Sequence, residues 1–176
     1  EMARGTLTRL TFAPYEDETP IWSPDGKRVA FSSTRSGQPR SVFWKPADGG
    51  GSEERLWASD HHIHLSSWSP DGRMLAFEES HPATGWDIWI LPLEGDRQAR
   101  PFLRTPFQEL EAKFSPDGRW LAYTSDESGR NEVYVQSFPG PGGKWQISTE
   151  GGSDPVWARN GRELFYRNGD RMMAVT

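Results

Sequence analysis

The residues best suited to chemistry are four histidines and a group of carboxylates held in short polar segments. His61, His62 and His64 fall within Asp60-His-His-Ile-His64, and His81 comes later in the same repeat. Residues two apart in an extended segment share a face, so His62 and His64 project together. With His81 at the same end of the repeat and a carboxylate nearby, they form a candidate set for a divalent transition metal. A rim of solvated histidines is the competing reading. Glu18, Glu109, Glu111 and Asp154 lie in the equivalent segments Tyr15-Glu-Asp-Glu-Thr19, Gln108-Glu-Leu-Glu111 and Glu150-Gly-Gly-Ser-Asp154, and are candidates to contact a ligand. Trp86, close to His81 in sequence, is a candidate aromatic anchor for a partner.

The recurrent catalytic signals are missing. No Gly-x-Ser-x-Gly elbow, phosphate loop, His-Glu-x-x-His or dinucleotide fingerprint occurs, so no catalytic residue is assigned and a binding role is expected. Asp25, Asp71 and Asp117 resemble a carboxylate set, but each sits in the same Ser-Pro-Asp-Gly turn of its own repeat. Turn chemistry accounts for them.

The elements that position these residues follow from internal periodicity. Trp22-Ser-Pro-Asp-Gly26, Trp68-Ser-Pro-Asp-Gly72, Phe114-Ser-Pro-Asp-Gly118 and the degraded Trp157-Ala-Arg-Asn-Gly161 are separated by 46, 46 and 43 residues. Such a period encodes one propeller blade of four strands. After each turn comes a short run that is apolar on both faces: Val29-Ala-Phe31, Leu75-Ala-Phe77, Leu121-Ala-Tyr123 and Leu164-Phe-Tyr166. That pattern suits a strand buried between neighbouring blades. The aromatics that open the turns occupy equivalent positions and are read as core.

The sequence therefore predicts an all-β fold, a β-propeller of four four-stranded blades per chain filling residues 1–176. The blades are expected near 19–58, 64–104, 110–149 and 154–176, with an N-terminal strand over 6–12 completing the last. That strand closes the ring within the chain, or pairs with a partner to give an eight-bladed homodimer by strand exchange. Up-and-down topology sends the polar segments and the second turns to one end of the ring, where they form an acidic channel mouth.

Composition narrows the partners. A net charge of −5 without a basic cluster argues against nucleic acid. No apolar run is long enough to predict membrane insertion, and the absence of cysteine removes disulfides and thiolate metal sites together. No cofactor is expected, and composition leaves the compartment open.

These motifs resemble the TolB-like β-propellers, also described as Pro-Asp-repeat or WD-repeat-like propellers, whose repeats carry Trp-Ser-Pro-Asp-Gly, a basic residue, an apolar residue, Ala and Phe. The stretch from Val133 to Val175, with Gly142-Gly-Lys-Trp-Gln-Ile-Ser-Thr149, is similar to propellers that follow bacterial Ser/Thr kinase domains. The fourth repeat departs from the pattern, with Ala158-Arg-Asn160 in place of Ser-Pro-Asp. The resemblance implies a non-enzymatic scaffold that binds a protein, peptide or small ligand, in an extracytoplasmic or periplasmic setting. Two alternatives stay open: a fragment of a longer propeller whose activity is self-assembly, and a metal-assisted hydrolase or lyase using the histidine rim.

Overall fold

Short runs apolar on both faces, punctuated by Gly- and Pro-rich turns, leave the chain no helical period. The computed structural model describes residues 9–35, 39–140 and 142–176, and among these it is all-β with no helix. Strands follow one another in antiparallel order. The first sheet holds β1 (Asp17–Trp22), β2 (Arg28–Thr34), β3 (Arg40–Pro46) and β4 (Glu54–Ser59). The second holds β5 (Ile63–Trp68), β6 (Met74–His81), β7 (Gly85–Pro92) and β8 (Arg100–Leu103). The third holds β9 (Glu109–Phe114), β10 (Trp120–Ser125), β11 (Glu132–Ser137) and β12 (Lys144–Gln146). The fourth has three strands, β13 (Ser153–Trp157), β14 (Leu164–Asn168) and β15 (Arg171–Val175).

Each repeat begins with a turn that satisfies itself. Ser23 Oγ donates to Asp25 Oδ1 (2.6 Å), Lys27 N donates to the same oxygen (3.0 Å), and Arg28 N donates to Ser23 Oγ (2.9 Å). The same bonds recur at Ser69 with Asp71 and at Ser115 with Asp117. The serine hydroxyl, then the backbone amide, hold all three carboxyls below their ordinary range, so they remain ionised acceptors. In the fourth repeat Asn160 Oδ1 still accepts from Arg162 N (3.0 Å), so the turn survives without the serine. Each closing glycine has positive φ, and from the second turn onward it lies against the preceding turn's proline; the Cβ position of Gly118 is 3.6 Å from Pro70 Cδ.

The sheets pack face to face in sequence order. In the second sheet Leu75 and Phe77 face the first sheet, beside Val42, Trp44 and Leu56, whereas Ala76 between them faces the third, beside Ala112, Phe114 and Tyr123. That alternation is the period of a strand used on both faces. A third cluster joins Ala122, Val133 and Val135 to Leu164 and Tyr166 of the fourth sheet. Trp68 and Phe114, which open their turns, are 9% and 8% exposed within these interfaces. Trp22 holds the same position in the first repeat but is 62% exposed, because no sheet among the described residues covers that face. At the other end Met172, on β15, is 74% exposed.

The strand expected over 6–12 differs from expectation where it can be seen. Residues 6–8 lie outside the described residues, and Arg9–Phe12 form no strand. Leu10 O accepts a bond of 2.8 Å from Lys45 Nζ, and the Phe12 ring lies 5.7 Å from the same ammonium. Lys45 is buried and needs an acceptor, which draws this segment onto β3 of the first sheet. Among the described residues β15 is left as an unpaired edge.

Polar groups also lie in the interfaces, several of them hydrogen-bonded within or across sheets. Glu78 accepts from the Ser66 hydroxyl and, across to the third sheet, from Ala112 N (3.0 Å). Burial outweighs these bonds and pushes its carboxyl up to about 7. The folded form thus binds a proton that the unfolded chain releases near the ordinary value of 4.5. Its stability contribution is complete below that value and is lost as pH rises toward 7, at about 1.4 kcal/mol per pH unit. Glu78→Gln is expected to flatten this decline and stabilise the protein at pH 8, measured by urea unfolding at pH 5 and pH 8; an unchanged pH dependence contradicts the assignment.

Candidate functional site

The four first strands, β1, β5, β9 and β13, neighbour one another along the inner edge of the arc. Each carries a β-bulge against the strand that follows it in its sheet. At the bulge, three residues before the aromatic that opens the turn, Thr19, Glu111 and Asp154 have φ of 48°, 61° and 54°. Left-handed backbone at non-glycine residues is costly and persists only where surrounding bonds hold it. Those bonds run between sheets: Leu65 N donates to Thr19 Oγ1 (3.1 Å), and Asp154 N donates to Glu111 Oε2 (2.6 Å). The bulges stitch the inner edge and turn side chains toward its polar end.

Two groups result. In the first, between the first and second sheets, Glu18 meets His62 and His64. The two Nε2 atoms lie 2.9 Å apart and Glu18 Oε2 is 3.6 Å from His62 Nε2. Arg40 Nη1 donates to Glu18 Oε2 at 2.5 Å. Trp86 stacks on His64 with centroids 4.7 Å apart and meets His62 edge-on at 5.6 Å. Burial, then the neighbouring His62, push the His64 imidazole below its ordinary value, favouring its neutral form.

In the second group Glu111 accepts from Thr124 Oγ1 (2.7 Å) as well as from Asp154 N, and burial pushes its carboxyl up. Asp154 is exposed, and its Oδ2 lies 3.1 Å from Arg167 Nη2.

Two residues expected at the site stand elsewhere. Glu109 is 1% exposed: it accepts from the Thr105 hydroxyl, its Oε2 has no hydrogen-bond partner, and burial pushes its carboxyl up to about 7. It starts β9 pointing into the protein, whereas Glu111, on the bulge, points out of register with simple alternation. His81 does not join His62 and His64; its ring packs on His61 at 5.0 Å and its Nε2 lies 3.1 Å from Arg104 Nη2. It ends β6, one strand removed from β5. Trp86 is half-buried by its histidine stack rather than free. Arg40 and the left-handed bulge were missed by sequence reasoning, although the fixed offset from each opening aromatic marks the bulge position.

An apolar cleft of about 580 Å³ opens at the other end, lined by Trp120, Trp145, Trp157 and Leu164. In the second and third sheets Leu93 and Phe138 cover the equivalent aromatics, Phe138 lying 5.0 Å from Phe114. The cleft is therefore a packing position of the repeat.

No family model matches the sequence, and no curated protein does. Solved structures do. TolB from Acinetobacter baumannii superposes with a TM-score of 0.77 at 20% identity, over 94% of this chain and 41% of that one. A putative TolB from Agrobacterium tumefaciens gives 0.73 at 19% identity, over 85% and 54%. A nidogen/laminin complex gives 0.66 at 12% identity, over 89% and 59%. The chain thus spans roughly half the length of these proteins, and the likeness establishes its fold, a β-propeller.

The geometry separates stitching from display. Glu111→Ala is expected to cost about 1–3 kcal/mol, since it strands the Asp154 amide and Thr124 hydroxyl. Glu18→Ala, which breaks a part-exposed pair with Arg40 and the longer contact with His62, is expected to cost under about 1 kcal/mol. Urea midpoints of the two variants check this; equal losses refute the division.

Proposed function

We propose that this chain is a non-catalytic propeller module that holds a protein or peptide segment at the polar end of its inner strands. The observation that carries the proposal is a contrast between the two ends. At the Ser-Pro-Asp-Gly end the aspartates are consumed by their own turns. At the other end Asp154 is exposed and Glu18 is part-exposed, Glu18 lying against His62 of the stack that His62 and His64 form with Trp86. A scaffold held by repeated packing with its reactive groups on irregular backbone is the usual division of labour in binding folds. The TolB-like fold supports a protein-binding role, and one similar structure is a complex of nidogen with laminin. Accessible carboxylates next to an aromatic face select a basic segment, the lysine or arginine pairing with acid and stacking on Trp86.

A second reading, self-association, is favoured by Trp22. It occupies the position that is buried in the two following sheets, and the exposed Met172 marks a bare face at the opposite end of the arc. A second copy placing its fourth sheet on the first sheet of its neighbour would repeat the interface already used inside the chain, by a two-fold exchange of the kind that closes rings.

Fluorescence anisotropy with a labelled arginine-rich peptide tests the first reading. The double variant Glu18→Gln/Asp154→Asn is expected to weaken binding at least about tenfold, while Asp48→Asn/Glu94→Gln, an equal charge change at the opposite end, leaves it unaltered. Equal effects from both pairs reduce the binding to net charge and sink the proposal. For the second reading, sedimentation should give twice the single-chain mass of 19.9 kDa and Trp22→Arg should restore the single mass. A single-chain mass for the unaltered protein ends it.

A further inference from the structure

We infer that Glu18, His62 and His64 form a site for one divalent transition-metal ion, of the zinc class, at the junction of the first and second sheets. The inference concerns an inorganic ligand and stands apart from peptide docking. One ligand atom from each residue lies within 4.8 Å of the others. With metal–ligand bonds of about 2.0–2.2 Å, neighbouring donors around one ion are separated by roughly 3–3.5 Å. The separations here are 2.9 Å between the two Nε2 atoms and 3.6 Å from His62 Nε2 to Glu18 Oε2. They bracket that value.

The donor chemistry points the same way. Two imidazole nitrogens aimed at each other beside a carboxylate concentrate lone pairs, and a single proton bridging the histidines would leave the third donor unused. Two imidazoles and a carboxylate suit zinc, copper, nickel or iron better than calcium or magnesium.

Each donor is held from behind. Arg40 Nη1 donates to Glu18 Oε2 and fixes the carboxylate, the orienting role that outer partners play around metal ligands. The Trp86 ring lies flat on His64, with an interplanar angle of 24°, and fixes that ring. His62 O accepts from Ser80 N (2.9 Å), which pins the backbone from which its imidazole projects. Glu18 comes from β1, His62 immediately precedes β5 and His64 lies within it, so an ion here would also tie the first two sheets together.

The side of the site away from Trp86 is open. His62 is 38% and Glu18 28% exposed at the side chain, so an ion held by three protein donors retains a position for water or an incoming ligand, the arrangement of reactive rather than purely structural zinc centres.

Isothermal titration with Zn²⁺ alone, on the metal-free 176-residue chain, tests the assignment. One Zn²⁺ per chain is expected, with affinity falling at least about tenfold in His62→Ala, in His64→Gln and in Glu18→Gln. His61→Ala/His81→Ala removes the other histidine pair, whose rings are 5.0 Å apart, and is expected to bind as the parent does. Urea midpoints show that each variant is folded, and Glu18→Gln, which keeps shape and the Arg40 contact, guards against a loss caused by disrupted packing. Binding unchanged in His62→Ala and Glu18→Gln, or abolished in His61→Ala/His81→Ala, overturns the site. Because no peptide is present, failure here leaves the docking proposal standing, and the reverse.

Discussion

A β-sheet that is apolar on both faces cannot stand in water alone, and this requirement organises the whole chain. Leu75, Ala76 and Phe77 are each fully buried, two against one neighbouring sheet and one against the other. The face-to-face contact therefore does more than add stability to sheets already formed: each sheet completes the burial of the one before it. The Ser-Pro-Asp-Gly turns set the spacing of this stack, since every glycine from the second onward meets the proline of the preceding turn. Where the stack stops, the same constraint shows in reverse, in the bare indole of Trp22 and the bare Met172.

The functional groups arise from departures from this regular packing. Simple alternation along β1, β9 and β13 would send every second side chain into an interface. The bulge breaks the alternation, and the left-handed residue within it is held by a bond to or from the adjacent sheet. The strain is thus compensated by the scaffold and placed where side chains need to emerge. The consequence differs by sheet: Thr19 and Glu111 serve as stitches, whereas Glu18, one residue earlier, is released toward His62 and His64.

Much of the architecture was legible because it repeats. Four copies of one turn, with the same apolar triplet behind each, leave little freedom in strand order. The site was legible only in part, because it is made across sheets. His62 and His64 share a face by local geometry, so their partnership could be read from spacing. Glu18 lies 44 residues before His62 in the chain, and only the packing of β1 on β5 brings them together. His81 was assigned by its end of the repeat alone, which cannot distinguish β6 from β5. Glu109 misled because an acidic residue in a polar segment is ordinarily exposed. Its burial, like that of Glu78 and Glu132, depends on hydroxyl partners, Thr105, Ser66 and Ser148, that no periodicity announces.

The central claim is that packing between sheets, rather than pairing along their outer strands, holds the protein. Two tryptophans separate these contributions: Trp68 is 9% exposed and stacks on Trp44 at 6.3 Å between the first two sheets, whereas Trp145 is 49% exposed on the outermost strand β12. The most direct measurement is urea unfolding of Trp68→Ala beside Trp145→Ala. The account predicts a loss of about 3–5 kcal/mol for Trp68→Ala and under about 1 kcal/mol for Trp145→Ala. Equal losses, or a larger loss at Trp145, would contradict it.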